Sequence, residues 1–141
     1  MATLNDLADG LKTRIATIGA AAITVYSEPC EDPQSPMNGA SAEITWLDRG
    51  QLTGCMDTAR CGVDVSVPAL DKGWPRAIRL LRQYADKTGA LSVQAAIAAD
   101  RTLGIAGVNA VVVRAGPERI VKYGNSLRWL ARIEVEITYG A

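Results

Sequence analysis

The chain reads as one α+β domain, and three observations predict it. The stretch from Trp129 to Tyr139 alternates apolar and polar residues without a break, the period-two signature of a half-buried strand. Two segments, near residues 4–18 and 74–85, instead carry apolar residues at spacings of three and four, which is helical. Strand-like runs outnumber helical ones and do not alternate with them, which argues against a doubly wound parallel sheet. The expected architecture is therefore a mixed or antiparallel sheet of about five or six strands, with two main helices on one face and one short helix. A length of 141 residues fits one domain with a substantial core of its own.

In chain order, Leu4, Leu7, Leu11, Ile15 and Ile18 form the first helical stripe. Thr3 followed three residues on by Asp6 reads as a capping box, and Gly19 as the stop. Ala22 to Tyr26 reads as a short buried strand. Residues 27–39 hold three prolines, Pro29, Pro33 and Pro36, which no helix or central strand sustains. This segment is expected to be a long surface loop, either a crossover between strands or a contact loop for a neighbouring protein. Ala42 to Leu47 and Ala59 to Val67 read as the next two strands, the latter ended by Pro68. Residues 48–58, with Gly50 and Gly54, read as an irregular hairpin loop.

The second helix is expected from an Asp71 cap, with Pro75 in its first turn. Its stripe is Trp74, Ile78, Leu81 and Ala85, widened by Ala77, Leu80 and Tyr84, and Gly89 is its C-cap. Ser92 caps a short third helix running to about Asp100, whose Ala95, Ala96, Ala98 and Ala99 permit close approach of a neighbour. Val108 to Arg114 and Glu118 to Tyr123 read as strands, and Gly124-Asn125 as a tight turn. On the last strand, Trp129, Ala131, Ile133, Val135, Ile137 and Tyr139 face the core. Arg128, Arg132, Glu134, Glu136 and Thr138 face water or another polar surface.

Composition narrows the function classes. Fifteen basic and fifteen acidic residues balance to zero, without the basic excess by which nucleic-acid binders neutralise phosphates. A near-neutral surface offers little resistance to self-association. Phe is absent, so the core is expected to be aliphatic, with Trp46, Trp74 and Trp129 as its large pieces. The longest apolar run, Ile18 to Tyr26, is far short of the roughly 20 residues of a membrane-spanning helix, so a soluble protein is expected. Cys30, Cys55 and Cys61 form no C-x-x-C pair. Their odd number, without a signal-peptide pattern, fits free thiols in a reducing cytoplasm.

The sequence contains no histidine, which removes Ser-His-Asp and Cys-His nucleophilic arrangements and the commonest general base. It has neither a P-loop nor a dinucleotide-binding glycine loop; Gly104 and Gly107 read as turn glycines. Glu134 and Glu136 share one strand face, a placement open to cation binding or acid–base work. A solvated strand face is the plainer reading, since no third ligand or apolar pocket is implied beside them. Cys55 sits in a glycine-rich loop with no base beside it. Neither cofactor nor metal is expected, and a small cytoplasmic enzyme or ligand-binding domain remains the rival class.

Taken as a whole, the chain resembles the tail terminator family of long, non-contractile-tailed bacteriophages, especially those infecting actinobacteria. The resemblance rests on the order of its pieces: Leu4-Asn-Asp-Leu opening the first helix, Val25-Tyr26 ending a strand, and the loop of Pro29, Pro33 and Pro36. Arg49-Gly50 before an alternating strand, Leu81-Arg-Gln-Tyr84, Ser92-Val-Gln-Ala-Ala-Ile-Ala-Ala-Asp100-Arg-Thr-Leu-Gly104 and Val111-Val-Val complete it. Two stretches depart from the family pattern, Gly-Cys-Met-Asp at 54–57 and Pro117-Glu118.

The resemblance implies a structural virion protein of the tail and neck, assembled in the host cytoplasm. Its copies would form a hexameric ring that caps the tail tube, stops tube polymerisation and joins it to the head connector. Its partners would be other copies of itself, the tail tube protein and a head-closure or stopper protein, and DNA would pass through without specific binding. A stopper ring of the same neck is the neighbouring reading. The two long loops supply the candidate contacts, Pro29, Glu31, Asp32, Pro33 and Met37 in the first and Arg49, Gln51, Leu52 and Met56 in the second. Arg132, Glu134 and Glu136 are the candidate channel-facing residues, a mixed to mildly acidic row that would slide past DNA. The alternative for that row is contact with solvent or a neighbouring subunit.

Overall fold

The computed structural model describes residues 2–18, 23–31, 33–35, 39–51, 56–69, 74–124 and 126–140. Its elements are α1 (Leu4–Ile15), β1 (Ile23–Tyr26), β2 (Ala40–Gln51), β3 (Met56–Pro68), α2 (Trp74–Ala85), α3 (Val93–Ala99), β4 (Asn109–Ala115), β5 (Arg119–Tyr123) and β6 (Ser126–Gly140). The α+β reading holds: six strands make one mixed sheet, ordered β1-β2-β3-β6-β4, with β5 also on β6. Among the described residues only the β1–β2 pair is parallel, its strands joined through residues 27–39.

The core lies between one face of this sheet and the three helices. From the sheet come Ile23, Val25, Ala42, Ile44, Cys61, Val63, Val65, Ile133, Val135 and Ile137; from the helices come Leu7, Leu11, Ile15, Leu81, Tyr84, Val93 and Ile97. The α1 stripe is buried as expected and the Thr3–Asp6 capping box is formed, but the helix ends at Ile15, with Ala16 at its C-cap. Ile18 remains buried beyond that end. Gly19 and Ala22 lie outside the described residues. Trp46 and Trp129 are half-buried against the core, while the Trp74 side chain lies outside the described residues.

On α2 the buried residues are Ala77, Leu81 and Tyr84, all within the expected arc, while Ile78 is only half-buried. Packing against the twisted β3–β6 pair selects one edge of a wide apolar arc that the sequence left open. Asp71, the expected cap, is outside the described residues. The helix ends at Ala85, four residues short of Gly89, because side chains from α3 satisfy its last carbonyls. Gln94 Nε2 donates to the Ala85 carbonyl at 2.6 Å, and Ser92 Oγ donates to the Asp86 carbonyl while accepting from the Ala95 amide at 3.0 Å. Gly89 serves the following turn, at φ 116°, the left-handed region that glycine adopts most easily.

The second expected loop is mostly strand. β2 continues through Gln51 and β3 starts at Met56, with Gly50 opposite Thr58 and Gln51 opposite Asp57. A register shift between Trp46 and Asp48 breaks the alternation there, which is why the strand appears in sequence to stop at Leu47. Leu52 to Cys55 lie outside the described residues. β4 and β5 are two segments of a single hairpin arm running along one edge of β6. The arm is held between them by the Gly116 amide donating to the Arg132 carbonyl at 2.8 Å. Tyr123 pairs with Ser126, leaving the expected two-residue turn, in which Gly124 has φ 58°.

Gly10 sets how closely α1 approaches the turn after α3. A Cβ there would stand 3.0 Å from both the Cβ and the carbonyl oxygen of Leu103, and Leu103 is itself held at φ 53°. The contact is to backbone already in a sparsely populated conformation, so it yields poorly. Gly10→Val is expected to destabilise the protein by about 1–3 kcal/mol through overpacking, measured as a lowered urea midpoint at unchanged slope.

Candidate assembly surface

The helices cover one face of the sheet; the other is polar because of the same alternation. On β2, Ser41 and Glu43 interleave with Ala40, Ala42 and Ile44; on β3, Asp64 and Ser66 interleave with Val63, Val65 and Val67. The antiparallel registers line these up in rows: Ser41, Ser66 and Leu130 in one, Glu43, Asp64 and Arg132 in the next. Residues directly opposite one another share a face and touch.

One end of this face is buried. Arg128, which the alternation places with the solvent-facing residues of β6, is only 5% exposed. Its Nε donates to Ser66 Oγ at 2.9 Å, and its Nη2 to Ser41 Oγ and the Ser66 carbonyl, each at 3.1 Å. Nη2 also reaches Ser35 Oγ, and Nη1 the Pro33 carbonyl at 3.4 Å. Pro33 and Ser35 belong to the proline-rich crossover, so this guanidinium ties that segment onto the sheet. Two more bonds hold it: the Cys30 amide donates to Glu43 Oε2 at 2.6 Å, and the Gln34 amide to the Tyr26 hydroxyl at 3.1 Å. Tyr123 closes the cluster, its hydroxyl donating to Glu43 Oε1 at 2.6 Å. Burial first, and then Glu43, push the Tyr123 phenol well above its ordinary range.

The rest of the face is a ladder of ion pairs. Arg132 grips Asp64 with Nε to Oδ1 at 2.7 Å and Nη2 to Oδ2 at 3.0 Å, which raises the guanidinium above its ordinary pKa. Its side chain lies flat across Gly62, where an added Cβ would stand 2.9 Å from Nε. Glu136 meets Arg60 at 3.0 Å and Glu134 meets Arg114 at 3.8 Å. The row Arg132, Glu134, Glu136, mixed to mildly acidic when its strand is read alone, is thus balanced by arginines from β3 and β4.

The contact candidates scatter. Pro29 and Glu31 are exposed, whereas Pro33 is buried against the sheet, so its ring is not offered to a partner. Arg49, Gln51 and Met56 lie on strands, opposite Ala59, Asp57 and Gly140, not on a loop. Their side chains, like Asp32, Met37 and Leu52, lie outside the described residues. The sequence reading missed the Arg128 cluster altogether, although Ser41, Glu43, Asp64 and Ser66 at alternate positions were a signal of it.

Burial, and then Asp64, push the Cys61 thiol up to about 12, so it stays protonated and a poor nucleophile; Cys55 is outside the described residues. Among the described residues no group of three or more Cys, Asp or Glu is placed to hold a metal. Among them, too, no helix is long and apolar enough to cross a membrane. No protein-family model and none of the curated proteins matches the chain.

Removing the Arg128 side chain leaves buried hydroxyls and two carbonyls without their charged donor. Arg128→Ala is expected to cost about 3 kcal/mol and to open the 27–39 segment to limited proteolysis before global unfolding. A protease-resistant segment in that variant would overturn the tether. The Tyr123 phenol, whose folded pKa is raised, contributes stability that is present below its ordinary value of about 10 and is lost as pH rises past it. Tyr123→Phe is therefore expected to flatten the fall in urea midpoint between about pH 9 and 11.5.

Proposed function

We propose that this protein is a tail terminator of a long, non-contractile-tailed bacteriophage. Copies assemble into a hexameric ring that caps the tail tube, stops its polymerisation and joins it to the head connector. The reading places the protein in the virion neck, assembled there from subunits made in the host cytoplasm, and gives it no catalytic role. Its partners are its own copies, the tail tube protein and the head-closure or stopper protein.

The observation that carries it is the whole-chain order of motifs that resembles this family, on a domain with one face sealed by helices and the other offering paired charges. Such a face suits contact with another protein, since charge-balanced, hydrogen-bonded surfaces set register and orientation more than raw affinity. Zero net charge and a locally neutral ladder also suit a ring through which DNA passes without being held, because tight phosphate binding needs clustered, unneutralised Lys and Arg.

Electron microscopy and native mass spectrometry of the protein, alone and with its tube protein, test this. The expected outcome is a six-subunit ring at one end of the tube and arrest of tube growth at substoichiometric amounts. A ring that engages the connector but leaves tube growth unchecked would identify a stopper instead. A strict monomer in both conditions, or a turnover activity lost on changing Glu134 and Glu136, would overturn the proposal.

A further inference from the structure

The hairpin arm made by β4 and β5 departs twice from regular pairing with β6, and each departure turns an arginine over. Ala110 to Val112 pair with Ile137 to Val135; the extra residue Val113 then sets Arg114 opposite Glu134. Without it, Arg114 would stand opposite Ile133 and point at the core. A second extra residue between Ala115 and Arg119 sets Arg119 opposite Leu130, where uninterrupted pairing would have placed it opposite Trp129, again on the helix-covered side. Bulges re-aim side chains in this way, and both re-aim a cation onto the face where Arg132 already lies. Arg114, Arg119 and Arg132, with Glu134, Gly116 and Pro117, line a concavity of about 330 Å³.

Charge around this concavity is not balanced from within. Arg132 is engaged by Asp64, and Arg114 approaches Glu134. Among the described residues Arg119 has no ion-pair partner. The same chain carries the complement elsewhere. Glu28 and Glu31 are exposed and likewise lack an ion-pair partner among the described residues. They sit beside β1, which is at the other end of the strand order from β4. Glu31 is presented on backbone held on both sides, by the Cys30 amide on Glu43 and the Gln34 amide on Tyr26, so little ordering is lost when it binds.

We propose that the occupant of the three-arginine concavity is the Glu28–Glu31 segment of a second copy of this chain, docked head to tail. Because donor and acceptor surfaces belong to opposite ends of one sheet, the contact is heterologous, and repeated contacts of that kind close into a ring when the rotation allows. The inference rests on the ring reading above and names the surfaces that would build it.

Charge reversal tests it. Arg119→Glu alone and Glu31→Arg alone are each expected to raise the concentration for half-assembly by roughly tenfold or more, since like charges are then juxtaposed, with the thermal midpoint of the subunit unchanged. An equimolar mixture of the two variants is expected to assemble again, because alternating subunits pair every reversed surface with its complement. A mixture that stays dissociated, or single variants that assemble like the wild type, overturns the inference while the ring stands. A wild type that never assembles, alone or on its tube, overturns both.

Discussion

The ladder between β3 and β6 runs unbroken from Met56 opposite Gly140 to Pro68 opposite Arg128, and its period of two assigns every side chain on both strands to one of two faces. On one face Cys61, Val63, Val65, Val67, Ala131, Ile133, Val135 and Ile137 supply the apolar floor on which α2 packs, while α1 and α3 meet β1 and β4 of the same sheet. On the other, the same residues' neighbours are Asp64, Ser66, Arg128, Arg132, Glu134 and Glu136. A slip of one residue in this register would exchange the two sets. The helical core and the polar face are therefore two consequences of a single pairing, and neither survives without it.

Burying Arg128 is the second constraint, and it follows from the first. An arginine does not lose its charge in a protein, so burial demands acceptors for its guanidinium. Two come from strand hydroxyls, Ser41 and Ser66, which also bond each other at 3.0 Å; further ones come from Pro33 and Ser35 of the crossover. A parallel connection of this length usually contains a helix. The described residues of this proline-rich segment are held by hydrogen bonds to Glu43, Tyr26 and Arg128. The order of the crossover is thereby coupled to the register of three strands.

Arg119 aside, the remaining polar face pairs its charges. Exposed pairs such as Arg60 with Glu136 add little stability individually. What they provide is a pattern of paired charge across the sheet face. The two extra residues in the β4–β5 arm add to this pattern by bringing arginines to the same face, and they also blunt the free edge of the sheet, as does Pro117.

Much of the fold was legible in the residues alone, wherever the signal was local. The stripe of Leu7, Leu11 and Ile15, the Thr3–Asp6 cap, the Ser92 cap and the alternation from Trp129 to Tyr139 all depend on neighbours within four positions, and each is where it was expected. Errors came where a distant element decided. α2 ends at Ala85 because α3 side chains take its carbonyls, and β2 passes Leu47 because β3 continues to pair with it beyond a bulge. Arg128 is buried where Pro33 and Ser35, 95 and 93 residues earlier in the chain, accept its hydrogen bonds. The candidate site divides the same way: alternation on β6 placed Arg132, Glu134 and Glu136 on one face, but their partners Asp64, Arg114 and Arg60 come from other strands. Sequence by itself determined which residues of α1 and β6 face the core and which face away, since in an unbroken element that depends only on backbone period. Tertiary structure alone decided which of the outward residues meet water, which meet a counter-charge and which are buried, because those outcomes depend on registers and loop paths that no local window contains.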